Sequence, residues 1–590
     1  MPKDDTATPD HWTGEPAMPD ALRSDPPASP GAGRSRLDLP DIQGNIHRPY
    51  GRYGFPYART FLFHIAADGG EAGRWFVDQL RPHVTTAEPW ASSRVPDRDG
   101  LRPKPDIAVN IAFTWAGLRA LGLPTATLRQ MPDEFIEGMA RRNHILGDLG
   151  PNHPDAWDPV WRDGTREADR RVHVWLNLSA AARESDGRPV EALARWTEWL
   201  QALLRHRRAQ GGVLLLPGHG RDGAGLWQDS AALMARDPAS GRLVPTAKEH
   251  FGFTDGISDP VFTGQGVLDE DRQAAIGAGK LLRGRPGASR HWQPLATGEF
   301  LLGHPDEGQE LARSSVPYGF MRNGTFMALR KLHQNTGRFA AAIERHAQVF
   351  QRVAGLPTPE VARETLRAKM VGRWSSGVPL ILAPTHAEML AVLARFPTLL
   401  KQEQGVPLTA AETWEAKRQL AAFNREAADY RYIDDPEGIR CPLGAHVRRA
   451  NPRDMLDPAP EPGCSASTLT NRRRILRRGL PYGETTPRDE DEHGVFIMAL
   501  CASLFRQFEF VQQQWMQYGL DLDSGNDTCP ITGSREQSAR FVIPADPTSG
   551  RLPYVAAELP HFVETRGGDY FFIPSLSALR MIAMGEIDPT

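Results

Sequence analysis

The chain has 590 residues with 69 basic and 72 acidic side chains, so its formal net charge at pH 7 is -3. This balance excludes the basic excess that is typical of nucleic-acid-binding proteins. The sequence has neither the run of about 20 apolar residues that spans a membrane nor a basic and apolar N-terminal leader for export. Its four cysteines include no C-x-x-C pair that would indicate zinc or a redox site. We therefore expect a large cytoplasmic globular protein without nucleic-acid or membrane partners.

The first half of the chain alternates between strand and helix patterns. Residues 1–37 mix Pro, Asp, Ser, Gly and Ala without apolar periodicity, which predicts a disordered N-terminal tail. After the tail, apolar periodicity predicts strands at 61–65, 106–114, 172–178 and 213–216 and helices at 71–84 and 190–207. The order βαββαβ is typical of a ferredoxin-like domain, an antiparallel sheet with two helices packed on one face. We predict such a domain over 38–235.

The second half shows a similar but less regular mixture, which we assign to a second α+β domain over 236–590. The predicted strands are 299–302, 325–332, 495–501 and 570–573, and the predicted helices are 339–353, 503–518 and 575–582. Several further helical stretches between about 355 and 440 indicate a helical elaboration of this domain.

A glycine pattern at 218–223, G-x-G-x-x-G, follows an apolar run and could indicate a dinucleotide site at the start of a helix. Pro217 intervenes, however, and the preceding strand closes an antiparallel domain, whereas the dinucleotide motif needs a parallel βαβ unit. We therefore favour a flexible loop at 218–223. An NAD-dependent enzyme built on this pattern is kept only as the least favoured functional hypothesis.

Three segments place a polar residue among small residues that would let a flat ligand approach. In the first, Gly252 and Gly256 bracket Asp255, whose carboxylate could project from a tight loop into a cavity. The alternative is an ordinary Asp-Gly turn.

In the second segment, His446 follows Gly444 and Ala445 and precedes three arginines at 448, 449 and 453. An imidazole with small neighbours suits an axial haem ligand, and the arginines suit the haem propionates. The alternative is a core histidine beside a structural arginine cluster.

The third segment is a basic run at 472–478 followed by Gly479 and Pro481. Runs of like charge usually lie on a solvated surface, so we expect that of most of this run. Arg477, with the glycine and proline close behind it, is the candidate to turn inward.

The order of these segments resembles the dye-decolorizing peroxidase family of haem enzymes. The family motif G-x-x-D-G matches 252–256, its proximal histidine matches His446, and its distal arginine matches Arg477. Similar segments also occur at 42–46, 298–303, 323–332, 369–380, 507–511 and 567–574.

The resemblance implies two ferredoxin-like domains, with haem b held mainly by the C-terminal domain. It implies His446 as the axial iron ligand, with Arg330, Gly256, Val495 and Ile497 as further haem contacts. Hydrogen peroxide would oxidise dyes, phenolics or other small or bulky one-electron donors through a ferryl intermediate. Asp255 would act as the acid/base and Arg477 would stabilise negative charge. The alternative is a haem-binding or haem-handling protein with little peroxide turnover, and a homo-oligomer is left open.

Some positions depart from the family pattern. Where many members have Leu and Phe on the distal side, this chain has Val495 and Ile497, which implies a smaller or differently shaped cavity. Bulky dyes would then react at the surface through Trp or Tyr residues. Tyr482, Trp374 and Trp515 are the candidates for this electron relay, with core packing as the alternative. Because Asp255 would lie near an arginine, we also expect a low pKa for it and an acidic optimum with dyes.

Overall fold

The computed structural model describes residues 37–90, 103–265, 275–282, 291–404, 406–457, 467–485, 491–534 and 540–586. Residues 1–36 of the predicted tail lie outside the described residues. Among the helices of the described residues, none combines the length and apolar character needed to cross a bilayer.

Antiparallel strands form the centre of the fold. Numbered in chain order, the strands are β1 Tyr57–Ile65, β2 Ile107–Phe113, β3 Val174–Ala180, β4 Val213–Leu215, β5 Gln228–Ala231, β6 Met234–Arg236, β7 Leu243–Pro245, β8 Lys280–Leu282, β9 His291–Gln293, β10 Thr325–Gln334, β11 Leu476–Tyr482, β12 Gly494–Cys501, β13 Arg540–Ile543, β14 Tyr554–Ala557 and β15 Val563–Ile573. The main sheet has the order β11-β12-β10-β15-β2-β3-β1-β4, and β5 also pairs with β1. The remaining strands form two-stranded sheets.

The two ends of the main sheet have the same internal order. Each half contributes four strands to this order: β2-β3-β1-β4 in the N-terminal half and β11-β12-β10-β15 in the C-terminal half. When the strands are counted along the chain within each half, the first and third lie at the centre and the second and fourth at the sides. The halves meet at one residue pair, Phe113 with Phe572. Helices follow the first and third strands of each half. These features agree with the predicted α+β class.

The helices cover and extend the sheet. The longer helices are Gly70–Leu80, Ala192–Arg205, Thr336–Ala354, Pro359–Val371, His386–Leu393, Pro397–Glu403, Ala410–Ala427 and Leu576–Met584. The predicted elaboration at about 355–440 is therefore helical. It has its own apolar core, in which Trp374, Phe396, Phe423, Tyr430 and Tyr432 are buried.

Strands β2 and β3 are buried along their whole length, so the sheet is covered on both faces there. Some polar side chains of the central strands are paired within the sheet, although Asn110 Oδ1 and Trp175 Nε1 find no partner among the described residues. Thr60 donates to Asn177 at 2.9 Å, and Asn177 donates to Ser179 at 3.0 Å. Burial of such groups requires partners of this kind, because an unpaired buried polar group is costly.

The structure departs from three sequence-based expectations about the elements. Residues 299–302 form no strand, because a 3-10 turn over Thr297–Glu299 and a following turn occupy the segment. Most of the basic run was expected to be solvated or paired on a surface, but Arg474 and Arg478 are buried, and Leu476–Tyr482 is strand β11, paired along its length with β12. The predicted helix at 503–518 consists of two π-helical segments, Leu504–Glu509 and Val511–Met516.

The glycine pattern at 218–223 lies in a loop after β4, as favoured from the sequence. The amide of Gly218 donates back to the carbonyl of Gly225 at 2.7 Å, and no helix starts within the pattern. The geometry of a dinucleotide motif is therefore missing from this described segment.

Candidate functional site

A cavity of about 410 Å³ brings together most of the residues singled out in the sequence. Its lining includes Asp255, Arg330, His446, Arg477, Val495 and Ile497. Its volume falls within the range of about 300–1,000 Å³ that is typical of ligand sites. Most of the lining comes from residues after 236, although Asp148 and Asn152 contribute from the N-terminal half.

Asp255 is held by a loop in which two glycines have positive φ angles. Gly252 has φ +87° and Gly256 has φ +83°, a backbone region that favours glycine. The amide of Asp255 donates to the carbonyl of Ala247 at 2.9 Å. The amide of Gly256 donates to Oδ1 of Asp255 at 2.7 Å. Gly256, expected as a cofactor contact, does not itself line this cavity.

Two arginines neutralise Asp255. Arg52 Nη2 lies 2.5 Å from Oδ2 of Asp255, and Arg477 Nη1 lies 3.7 Å from Oδ1. Burial by itself would raise the pKa of this carboxyl group, but the charges of Arg52 and Arg477 and the bonds from Gly256 and Arg52 hold it below its ordinary value. This direction agrees with the prediction. Arg52 was not predicted as a site residue, because nothing in the sequence around it distinguishes it from the other arginines of the chain.

Arg477 reaches the cavity because of the alternation of β11. Leu476, Arg478 and Leu480 are buried, whereas Arg477 between them has a side chain 41% exposed that lines the cavity. Its amide donates to Asp259 at 3.0 Å, and Nη2 donates to the carbonyl of Ile257 at 2.9 Å. The first contact holds the backbone of Arg477, and the second holds its guanidinium beside the Asp255 loop.

The basic run around Arg477 is not a solvated surface. Arg474 is buried and donates to the carbonyls of Ala278 and Gly279. Burial, together with the nearby charge of Arg453, lowers the pKa of Arg474 to about 9. Arg478 is also buried, and it pairs with Asp259 at 2.7 Å.

His446 is the first residue of the helix His446–Ala450 and lines the cavity. Its Nδ1 lies 3.2 Å from the sulfur of Cys529. A histidine whose Nδ1 is hydrogen-bonded leaves Nε2 available for a metal. Burial would raise the pKa of the Cys529 thiol, but His446 and Arg449 lower it to about 5.

The three arginines after His446 have different environments. Arg448 is fully buried, where it donates to the carbonyl of Cys441 at 2.7 Å and lies over the ring of Tyr432. Arg449 donates to four backbone carbonyls. These two residues are structural, so the expectation that they pair with a ligand's carboxylates is wrong for them. Only the third arginine, Arg453, lines the cavity.

Two guanidinium groups of the lining have spare hydrogen-bonding capacity. Arg330 on β10 is buried, pairs with Asp148, and donates to Thr565 at 3.1 Å. Arg453 donates to the carbonyls of Ala428 and Tyr430. The Nε atoms of Arg330 and Arg453 find no hydrogen-bond acceptor among the described residues. Such buried donors at a cavity wall fit a ligand that carries carboxylates.

The aromatic residues proposed as surface electron relays are all buried. Trp374 and Trp515 are at most 1% exposed, and Tyr482 is 3% exposed. The indole of Trp374 donates to the carbonyl of Ala383 at 2.8 Å, and that of Trp515 donates to Asp521 at 3.2 Å. The placement on the surface was therefore wrong, and the alternative of core packing is confirmed.

A second cavity of about 550 Å³ shares Asp255, Arg477, Val495 and Ile497 with the first. Arg52, Gly256 and Arg478 also line it, together with polar side chains of the N-terminal sheet such as Asn110 and Asn177. The Asp255 carboxylate therefore stands between two spaces, one of which is bounded by both halves of the sheet.

Comparisons with known proteins agree with this fold. No family model matches the chain. The dye-decolorizing peroxidase of Mycena epipterygia is 26% identical over 632 residues, which cover 99% of this chain and 95% of that relative. The structure of an ancestral D-type dye-decolorizing peroxidase has a TM-score of 0.65 and 25% identity, covering 92% of this chain and 99% of that one. A dye-decolorizing peroxidase in complex with 2,6-dimethoxyphenol shares the fold, with a TM-score of 0.62 and 22% identity over 93% of this chain and 100% of that one.

An imidazole, a carboxylate and a guanidinium line one cavity of this α+β fold, a combination that suits a haem peroxidase. In sequence and in fold, the chain is similar over nearly its full length to dye-decolorizing peroxidases, as its motifs predicted. Dye-decolorizing peroxidases are haem enzymes, so this similarity points to haem as the cofactor.

Proposed function

We propose that the protein is a haem b peroxidase that uses hydrogen peroxide to oxidise dyes, phenolics or similar one-electron donors. The similarity over nearly the full length to dye-decolorizing peroxidases supports the peroxidase activity itself. The observation that carries the chemistry is the cavity that contains both His446 and the pair Asp255 and Arg477. A relative that holds 2,6-dimethoxyphenol supports phenols as donors.

The same strand order in the two halves of the sheet supports two ferredoxin-like domains. We infer that the C-terminal domain would hold most of the haem, because most of the cavity lining follows residue 236. The domain boundary near 235 and the cytoplasmic location stay predictions.

The residues of the cavity fit haem. Nε2 of His446 would bind the iron, since its Nδ1 is engaged by Cys529. Arg330 and Arg453 would donate from their unpaired Nε atoms to the propionates. Apolar side chains such as Phe508, Val511 and Ile531 would contact the ring. Bound haem would supply the two electrons that cleave the O–O bond, and the organic donor would return them one at a time.

Asp255 would move a proton between the two oxygens of hydrogen peroxide. Its Oδ2 is held by Arg52 at 2.5 Å, whereas Oδ1 has its arginine partner at 3.7 Å. Oδ1 accepts from the amide of Gly256 at 2.7 Å but has the weaker arginine contact, so we assign it as the oxygen that would accept the proton. The lowered pKa keeps the carboxylate ionised and able to act as a base in mildly acidic solution.

Arg477 would stabilise the negative charge that develops on the departing oxygen. A guanidinium remains protonated throughout the working pH range, and in a partly enclosed cavity its charge acts more strongly than in water. Val495 and Ile497 line the same space and would limit its size.

The test is haem loading followed by peroxide turnover. The wild-type chain should give a Soret band on addition of haem and should oxidise guaiacol or a dye when peroxide is added. His446→Ala should lose the Soret band of the ligated form and the turnover. The matched control His304→Ala removes a half-buried histidine that bonds Asn323 outside the cavity. Unchanged haem binding and turnover in His446→Ala, or haem binding by wild type without turnover, would overturn the proposal.

A further inference from the structure

Cys529 is a buried cysteine whose sulfur faces the predicted iron ligand. Its Sγ lies 3.2 Å from Nδ1 of His446, although the two residues are 83 positions apart in the chain. The residue is 0% exposed. Its position is fixed by its own backbone, because its amide donates to Met516 at 2.8 Å and its carbonyl accepts from Gly533 at 3.1 Å.

The groups around the sulfur are hydrogen-bond donors. The amides of Ile531 and Thr532 each lie 3.5 Å from Sγ, and the hydroxyl of Thr532 lies 3.4 Å from it. Together with His446 these groups place four donor atoms around one sulfur atom. A sulfur in such a setting acts as an acceptor, so Nδ1 of His446 is the nitrogen that carries the proton.

The other buried cysteines of the described residues have different surroundings, although backbone amides of Ser503 and Phe508 also approach the sulfur of Cys501. Cys501 is also 0% exposed, but it lies on β12, and its pKa is raised to about 12, above all by burial. Burial therefore does not by itself explain the ring of donors around Cys529. The sulfur of Cys441 lies 4.0 Å from the carbonyl of Pro442, which is a hydrogen-bond acceptor and not a donor.

We propose that Cys529 is a positioning residue that accepts the Nδ1 proton of His446, orients Nε2 into the cavity and increases electron donation by the imidazole. This inference rests on the proposed haem-binding function. A partner that accepts from Nδ1 fixes the tautomer and ring orientation of a metal-ligating histidine and raises its basicity. A more basic axial imidazole favours ferric over ferrous iron and thereby lowers the reduction potential.

The experiment compares Cys529→Ala and Cys529→Asp with the wild-type holoprotein. The readouts are the ferric/ferrous midpoint potential and the iron–histidine stretching band in the resonance Raman spectrum of the ferrous form. Cys529→Ala should bind haem with a more positive midpoint potential and a lower stretching frequency. Cys529→Asp supplies another acceptor, so both readouts should move back from the values of the alanine variant towards those of the wild type. The matched control Cys501→Ala removes a buried thiol elsewhere and should leave both readouts at the wild-type values.

The outcomes separate the two proposals. A wild-type chain that binds no haem refutes the proposed function. A wild-type chain that binds haem, with a Cys529→Ala variant equal to it in potential and stretching frequency, refutes the role of Cys529 alone. Should the alanine variant fail to fold, Cys529→Val removes the acceptor while keeping a side chain of similar size, and an unchanged potential and band in that variant would equally refute the role.

Discussion

Replacement of Asp255 by asparagine tests the proton transfer on which the proposed mechanism depends. Asparagine keeps the size of the side chain and can still accept from the amide of Gly256, which lies 2.7 Å from Oδ1. It loses the charge that faces Arg52 and Arg477, and with it the ability to accept a proton. The guanidinium of Arg477 remains, so the variant keeps the stabilisation of the departing oxygen.

The expected loss is that of one positioned general acid/base. Such a group contributes about 10²–10⁴-fold to the rate, which corresponds to about 3–5 kcal/mol of activation free energy at about 1.4 kcal/mol per factor of ten. The effect on folding should be small. The Asp255 side chain is 39% exposed, so its pairs are partly screened and contribute about 1 kcal/mol or less.

The assay is kcat/KM for hydrogen peroxide with a small phenol as donor, normalised to bound haem. Asp229→Asn is the matched control, because it makes the same chemical change in a pair with Arg59 at 2.7 Å outside the cavity. The control should keep wild-type kinetics. A loss of less than about tenfold in Asp255→Asn, below the range for positioned acid/base catalysis, would refute Asp255 as the proton carrier.

Three further predictions follow from contacts in the structure. Arg52→Gln removes the cation 2.5 Å from Asp255 and should raise its pKa, so the acid limb of the kcat/KM profile should move to higher pH, and an unmoved limb would contradict this reasoning. Lys331→Met leaves the buried carboxylate of Asp158 without its ion pair at 2.6 Å, and urea unfolding should show a loss of about 3–5 kcal/mol; an unchanged urea midpoint would count against it. Trp515→Phe should lower the melting temperature but leave dye turnover per haem unchanged, and a fall in that turnover would reinstate the electron relay.

Much of the fold was readable from local patterns. Strands β1, β2 and β3 and the helices Gly70–Leu80 and Ala192–Arg205 lie within a few residues of their predicted positions. Their signals are strong because each element buries apolar residues at the period of its own backbone. Strand β11 was missed because four of its seven residues are Arg, Arg, Gly and Pro, which on local grounds disfavour a strand. Pairing with β12 along its whole length overrides that preference.

The site was only partly readable. Asp255, His446 and Arg477 were found because small residues flank them in recognisable motifs, and all three line one cavity. Gly256 was assigned to the cofactor but lines only the second cavity. Arg448 and Arg449 were expected near haem propionates, but Arg448 pairs with Asp435 and the carbonyl of Cys441, and Arg449 binds backbone carbonyls. A charged residue in a sequence indicates that its side chain will need a hydrogen-bond or ion-pair partner, but the sequence does not show which group that partner is.

The sequence alone therefore determined the order of the N-terminal strands and helices and the motifs that hold the candidate residues, because both depend on neighbours along the chain. The tertiary structure alone decided which distant groups meet. It placed Arg52 on Asp255 across 203 positions and Cys529 on His446 across 83 positions. Neither residue has a local signal, since a hydrogen bond between remote segments is set by how the sheet, loops and helices pack, and those contacts form only in the folded chain.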